Sequence, residues 1–125
     1  MMNRQKIILG CFFLIALTSS SLRAQAFDII GKWKFKEKPR ELMITQEGKH
    51  FEGKAVNPKA EYKEVKILKN LHFDTKQQAY VGTLNSPKKN MSLDVTIYKV
   101  SSDKLKMVGK KGFMTKTFHL IKIKP

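Results

Sequence analysis

The chain has 125 residues, of which 25 are lysine or arginine and 10 are aspartate or glutamate, giving a formal net charge of +15. A chain of this length is expected to form one domain with a packed core. Its single cysteine, Cys11, excludes an internal disulfide, so the core must supply the stability.

Residues 1–26 have the three parts of an export signal. A basic start precedes an apolar run at 7–17, and a stretch of small and polar residues then ends in Ala24-Gln25-Ala26. Signal peptidase cleaves after an A-x-A sequence of this kind. We therefore expect a protein that is exported to the periplasm or secreted, with Phe27 as its mature N-terminus.

Two other interpretations of the signal segment stay open. An uncleaved membrane anchor needs about 18 apolar residues to cross a bilayer, and the run at 7–17 is shorter. Leu9-Gly10-Cys11 resembles the end of a lipoprotein cleavage box, but the strongest apolar residues follow the cysteine instead of preceding it. Cleavage after Ala26 is favoured, which leaves residues 27–125 as a single domain without a transmembrane segment.

Cleavage would remove three of the 25 basic residues and no acidic one, so the mature chain carries a formal charge of +12. Such a charge attracts polyanions, including anionic lipid head groups, lipopolysaccharide phosphates and acidic glycans. Export argues against nucleic acid as a partner, and lysine, which supplies nearly all of the charge, lacks the planar fork of arginine for bidentate contacts. A solvated surface that serves only solubility is the alternative interpretation.

Apolar residues of the mature chain recur mostly at every second position, which is typical of strands with one buried face. The first predicted strand places Trp33 and Phe35 on one face and lysines on the other. The clearest alternation lies at 91–98, where apolar residues occupy every odd-numbered position. The predicted strands span residues 31–36, 42–46, 51–56, 65–71, 79–84, 91–98, 104–108 and 115–123.

Short turns separate these strands. Glu47-Gly48-Lys49 is a hairpin sequence, Asn57-Pro58-Lys59-Ala60-Glu61 favours one or two helical turns, and residues 85–90 form a six-residue loop. About eight strands without a long helix predict an all-β fold. A small closed or nearly closed antiparallel barrel is favoured because closure removes strand edges, and an open sandwich is the alternative.

Several short motifs occur in an order that resembles a known family. They are Asp28-Ile29-Ile30-Gly31-Lys32-Trp33-Lys34, Val65-Lys66-Ile67-Leu68-Lys69-Asn70-Leu71, Gly82-Thr83 with Pro87 beyond, and Lys104-Leu105-Lys106 followed by Gly109-x-x-Gly112-Phe113. Over nearly the whole mature chain the sequence resembles the exported bacterial proteins of domain-of-unknown-function family 2147, in its shorter Bacteroidetes-like form. The resemblance implies an envelope protein with a lipocalin-like barrel and no established activity.

The start Gly31-x-Trp33 also resembles the first-strand signature of lipocalins, in which the tryptophan plugs one barrel end beneath a basic residue of the last strand. This resemblance implies that the Lys122 ammonium lies over the Trp33 ring, a contact worth about 0.5 to 2 kcal/mol. The sequence departs from family 2147 at the family's polar and aromatic positions, so a site built there in relatives is altered or absent. Those positions hold Ser86, Val108, Lys110 and Leu120.

The sequence contains no pattern of catalytic or metal-binding residues. His50, His72 and His119 are not at metal-ligand spacings, and no G-x-S-x-G or comparable nucleophile motif occurs. Its acidic residues lie among lysines and form no pair in an apolar context suited to acid catalysis. We expect no enzymatic activity, no cofactor and no metal, and a hydrolase is the remaining alternative.

Two groups of residues are candidates for binding. The first group would line an apolar cavity or fill the barrel interior, and filling is favoured in so narrow a barrel. Its members are Trp33, Phe35, Tyr80, Tyr98 and Lys122. The second group is a row on the outward face of the first strand that suits an anionic contact, formed by Lys32, Lys34, Lys36 and Lys38.

These observations predict a non-enzymatic binding module for a small apolar ligand or an envelope component. The alternative is a surface-interaction protein that docks its lysine row on anionic lipid or polysaccharide. The two functions respond differently to salt, because screening weakens a surface contact between charges but not the burial of an apolar ligand.

Overall fold

The computed structural model describes residues 26–56, 64–86 and 90–124. These residues form eight antiparallel strands in which each strand pairs with the next and the last pairs with the first, so the barrel is closed. The strands are β1 (Gly31–Phe35), β2 (Glu41–Glu47), β3 (His50–Val56), β4 (Val65–Asp74), β5 (Ala79–Ser86), β6 (Met91–Ser101), β7 (Lys104–Lys111) and β8 (Met114–Lys122). The predicted all-β antiparallel barrel is confirmed.

Three predictions fall wholly or partly outside the described residues: the signal segment apart from Ala26, the helical turns at 57–61, and residues 87–89 of the predicted loop. No helix within the described ranges is long and apolar enough to cross a membrane. The turn before β8 lies later than predicted. Strand β7 continues through Gly109 to Lys111, and the turn is formed by Gly112 and Phe113 alone.

The alternation of apolar and polar residues in the sequence corresponds to the alternation of inward and outward side chains in the barrel wall. On β1 the side chains of Trp33 and Phe35 are buried and those between them are exposed, and β6 repeats this with Leu93, Val95 and Ile97. The buried apolar side chains form one continuous cluster that fills most of the interior. Burial of apolar surface of this kind is the main stabilising term for a domain that lacks disulfides.

Strand β4 contains the main irregularity of the barrel. Asn70 has a φ of +54°, and the register shifts by one residue against both β3 and β5 around it. An extra residue in one strand is a β-bulge, which bends the strand and increases its twist. In a regular strand, residues three positions apart point to opposite faces. The extra residue of the bulge brings Leu71 to the same inward face as Leu68, so both side chains are buried.

The two ends of the barrel differ in the strand connections that surround them. One end carries the β2–β3, β4–β5 and β6–β7 turns together with the N-terminal segment 26–30, and we call it the closed end. The opposite end carries the β1–β2 connection and the β7–β8 turn, and we call it the mouth. The polar and aromatic side chains at the closed end differ from those at the mouth.

Candidate functional site

A cavity of about 70 Å³ lies at the mouth and opens to solvent. Its wall is mostly apolar and comes from seven strands, all except β2, and from the β1–β2 connection. The apolar lining residues are Phe35, Ala55, Ile67, Leu84, Leu93, Met107 and Phe118. The polar lining residues are Lys38, Arg40, Asn85, Ser86 and Lys116, and none of the described residues that line the cavity is acidic.

Lys116 reaches the cavity because it belongs to the inward face of β8. Its neighbours on that face, Phe118 and Leu120, continue into the core, and Leu120 is fully buried. Lys116 pairs in register with Gly109 on β7, which has no side chain to compete for the space. A lysine on the inner wall brings a positive charge to the edge of an apolar cavity, where screening by water is weaker than on the outer surface.

The β1–β2 connection supplies the two other described cations that line the cavity. The Lys38 ammonium lies over the Phe118 ring, 4.9 Å from its centroid. Arg40 stands just before β2, and its carbonyl accepts a hydrogen bond from the Phe35 N–H at 3.1 Å. Within the described residues the Arg40 guanidinium forms no salt bridge, so its planar fork of donors faces no carboxylate there.

The size of the cavity limits what it can hold. One water molecule needs about 10 to 15 Å³ by the same measure, so this space admits a few non-hydrogen atoms and not a drug-sized molecule. The apolar wall favours hydrocarbon, and the cations at the edge favour an anion. The arrangement is complementary to a small amphiphile whose apolar part enters the barrel and whose anionic group stays at the mouth.

Trp33 fills the closed end. Its side chain is 1% exposed, and its indole N–H donates a hydrogen bond to the Ile29 carbonyl at 3.0 Å. The Lys122 ammonium lies 5.6 Å from the centroid of the indole ring. This is the arrangement that the lipocalin resemblance implied, and it plugs the barrel instead of lining the cavity.

Tyr80 lies at the centre of an aromatic cluster at the same end. The rings of Phe27, Phe51 and Phe73 pack edge-on against it, with centroids 5.1 to 5.4 Å from that of Tyr80. The Tyr80 hydroxyl donates a hydrogen bond to the Phe27 carbonyl at 2.6 Å. Burial raises the pKa of Tyr80, and the nearby Asp28 carboxylate raises it further, so the phenol keeps the proton that it donates.

Only one of the five predicted interior residues lines the cavity, and that residue is Phe35. Trp33, Tyr80 and Lys122 close the opposite end, which agrees with a filled barrel. The assignment of Tyr98 to the interior is wrong, because its side chain is 37% exposed on the outer face. Tyr98 directly follows Ile97 on β6, and Ile97 points inward. Since neighbouring residues of a strand point to opposite faces, Tyr98 points outward.

The lysine row on the outer surface is partly as predicted. Lys32, Lys34 and Lys36 are exposed and Trp33 and Phe35 between them are buried. Lys38 does not belong to the row, because β1 ends at Phe35 and the connection turns the Lys38 side chain to the mouth. Beyond the end of a strand, the period of two no longer fixes which way a side chain points.

The row continues onto β7 across the last strand. Ile121 on β8 is the register partner of both Lys34 and Lys104, so these two lysines flank it. His119 on β8 is likewise the register partner of Lys106 on β7. On the side facing β1, the His119 carbonyl accepts a hydrogen bond from the Lys36 backbone N–H. We call this surface the basic face, formed by Lys32, Lys34, Lys36, Lys104 and Lys106.

The acidic and histidine side chains of the described residues do not gather into one cluster. Among the described residues, no three histidine, cysteine, aspartate or glutamate side chains gather to hold a metal. His119 Nδ1 pairs with Glu37 at 2.8 Å beside the basic face, and both side chains are exposed. Partial burial raises the pKa of Glu37, but hydrogen bonds from the His119 ring and backbone outweigh it and lower the pKa below 4.5.

Lys116 and Arg40 are the site residues that the sequence analysis did not identify. The signal for Lys116 was present, because the order Met114, Lys116, Phe118, Leu120 places a lysine on the apolar face of the last strand. Arg40 stood out as the sole arginine after residue 26. Its place at the mouth depends on the path of the β1–β2 connection, which has no periodic pattern.

No protein-family model, curated protein or solved structure matches the chain. The resemblance to family 2147 therefore stays a prediction, and the function is argued from the geometry of the mouth.

Proposed function

We propose that this protein is an exported, non-enzymatic carrier that binds a small amphiphile with an anionic group. The single observation that supports this function most is the inward lysine, Lys116, at the edge of a mostly apolar cavity. Lys116 lies beside Lys38 and Arg40 in the lining of the cavity, so an anion bound at the mouth would meet three positive charges next to an apolar wall.

Selectivity for anions has a clear electrostatic basis. Lys38, Arg40 and Lys116 line the cavity, and no acidic side chain lines it among the residues that the structure describes. Hydrogen bonds to charged groups contribute about 1.5 to 3 kcal/mol, so loss of one cation should weaken anion binding by about tenfold or more. The apolar wall contributes to binding of charged and neutral ligands alike.

Calorimetric titration with alkyl carboxylates and with alcohols of the same chain length tests this function. The carboxylates should bind more tightly, and Lys116→Gln and Arg40→Gln should each remove most of that preference. Lys110→Gln is the matched control, because Lys110 is exposed on the outward face of β7. Equal binding of carboxylate and alcohol by the wild type would contradict the proposal.

A variant that fills the cavity separates interior binding from surface binding. Ala55 is 6% exposed and lines the cavity, so Ala55→Leu should occupy the space that the ligand needs. Binding of both ligands should be lost while the Trp33 emission spectrum shows an intact barrel. Undiminished binding by a folded Ala55→Leu variant would place the ligand elsewhere.

The basic face supports a second candidate function, the docking of an anionic polysaccharide or lipopolysaccharide on the outside of the barrel. The supporting observation is that lysines from β1 and β7 flank β8 on one continuous surface. Such binding should weaken steeply with salt, because exposed charges are screened beyond about 8 Å at physiological ionic strength. Cavity binding of a neutral alcohol should not change with salt.

A further inference from the structure

The turn between β7 and β8 exposes a phenylalanine completely. Lys111 and Met114 form the last register pair, and Gly112 with a φ of +60° begins the two-residue turn. The relative exposure of Phe113 is 108%, whereas the next most exposed large apolar residue among those described, Val100, is 58% exposed. The Phe113 ring therefore contributes no packing to the barrel.

Lysines accompany this exposed ring. Lys110 and Lys111 directly precede the turn, and both are exposed. An aromatic ring beside lysines is the combination that suits a membrane interface, where the ring enters the boundary of the acyl chains and the ammonium groups meet anionic head groups. A single exposed apolar residue is ordinary on a protein surface. The inference therefore rests on the lysines next to Phe113 and on the position of Phe113 in the barrel.

The position of the turn is at the mouth of the cavity. Lys116, only two residues beyond Met114, lines the cavity, so the exposed ring and the opening lie at the same end of the barrel. Lys38 and Arg40 add positive charge at this end. This end of the barrel therefore presents an apolar tip directly preceded by two lysines, with further cations at the cavity, although Asp94 on β6 is the register partner of Lys110.

The closed end differs in charge. Each of its three turns has an aspartate or glutamate within it or at its edge, namely Glu47, Asp74 and Asp103. The β7–β8 turn and its flanking pair contain none. The contrast holds for the β7–β8 turn and not for the whole mouth, because Glu37 lies in the β1–β2 connection and Glu41 begins β2. A turn with lysines beside it and no carboxylate has the local charge complementarity that docking on an anionic bilayer requires.

We propose that the segment Lys110–Met114 docks the mouth of the barrel on an anionic lipid bilayer, with the Phe113 ring inserted at the interface. Docking goes beyond the proposed carrier function and does not require that the cavity be occupied. It would place the opening of the cavity against the lipid surface, the place where an amphiphile enters or leaves water.

Tryptophan fluorescence tests the insertion directly. The native chain has one tryptophan, Trp33, which is buried in the barrel, so a second tryptophan on the surface reports its own surroundings. With vesicles of phosphatidylglycerol and phosphatidylcholine in equal parts, the Phe113→Trp variant should shift its emission to the blue and be quenched by brominated lipid. The matched control is Val100→Trp, which places the reporter near the closed end and should do neither.

A charge variant tests the contribution of the lysines. A lysine close to an anionic surface contributes about fivefold to affinity, so the Lys110→Gln/Lys111→Gln variant should bind these vesicles roughly twentyfold more weakly. The Lys32→Gln/Lys34→Gln variant changes the charge equally on the basic face and should lose much less. Vesicles of phosphatidylcholine alone should bind the wild type weakly.

Three outcomes would overturn the proposal. The first is a wild-type protein that does not bind the anionic vesicles. The second is binding without a blue shift in the Phe113→Trp variant, or with an equal shift in the Val100→Trp variant. The third is an equal loss of affinity in the two charge variants, which would assign vesicle binding to the diffuse field of the whole protein. None of these outcomes bears on whether alkyl carboxylates bind in the cavity.

Discussion

Trp33 and Lys122 are register partners across the β1–β8 pairing that closes the barrel, and the Lys122 ammonium lies 5.6 Å from the centroid of the indole ring. The same indole donates to the Ile29 carbonyl. One buried side chain thus links the N-terminal segment, the first strand and the last strand. Loss of this side chain should affect the closure of the barrel and the closed end together.

The first prediction concerns this residue. Trp33→Ala should lower the free energy of unfolding by about 3 to 5 kcal/mol, because it leaves a cavity in a filled core. Lys34→Ala, the outward neighbour, should change it by no more than about 0.5 kcal/mol. Chemical denaturation measures both, and similar midpoints for the two variants would contradict the facing of β1.

The second prediction concerns the bulge on β4. A Cβ atom at Gly82 would lie 2.7 Å from the Lys69 carbonyl oxygen and 3.1 Å from that of Asn70, and backbone atoms have little freedom to move away. Gly82→Ala should therefore destabilise the barrel by about 1 to 3 kcal/mol. Gly109→Ala is the matched control, since its nearest contact is a leucine methyl group at 3.3 Å. Thermal unfolding of the two variants compares them, and an equal loss would count against a tight bulge.

The third prediction is a pH dependence at Glu37. Its pKa is lowered in the folded protein, so the pairing with His119 stabilises the fold above the ordinary carboxyl pKa and is lost as the pH falls through the folded value. Both side chains are exposed, so the contribution should be at most about 1 kcal/mol. Glu37→Gln should lower the melting temperature at about pH 6, and the difference from the wild type should shrink by about pH 3. If the difference in melting temperature between Glu37→Gln and the wild type grew on acidification, the direction that we assign to the pKa shift of Glu37 would be wrong.

The fourth prediction concerns the basic face. Replacing Lys32, Lys34 and Lys36 with glutamine should leave Trp33 and Phe35 in place and the barrel folded, since these lysines point outward. If the face is a binding surface, affinity for lipopolysaccharide should fall more than after three exposed lysines elsewhere are replaced. A suitable control set is Lys49, Lys76 and Lys99. Equal losses would show that the charge acts only as a general field.

The fifth prediction is the processing of the N-terminus. The exported protein should have the mass of residues 27–125, with Phe27 first. Phe27 packs against Tyr80 in the closed end, so cleavage after Ala26 would remove the signal up to the first residue that contributes to the core. Intact mass spectrometry measures this, and a product that retains Cys11 or carries lipid on it would contradict the prediction.

Much of the barrel was predictable because its strands obey the period of two. The alternation identified the burial of Trp33, Phe35, Leu93, Val95 and Ile97. The assignment of Tyr98 to the interior was wrong because it departed from this alternation, in which Tyr98 directly follows the inward Ile97. The prediction for Lys38 failed because the period of two ends with β1. The bulge at Asn70 in β4 was not predicted, because an extra residue in a strand has no periodic signal. The cavity is harder to predict still, because its edge combines Arg40 from a connection with Lys116 from a distant strand.

The filled closed end has a consequence for traffic through the barrel. Among the described residues, Trp33 and the rings around Tyr80 fill the end of the barrel opposite the cavity, and none of them lines it. A ligand of the proposed carrier would therefore enter and leave the cavity at the mouth. Net transfer of such a ligand would then depend on what faces the mouth, since uptake and release would use the same opening.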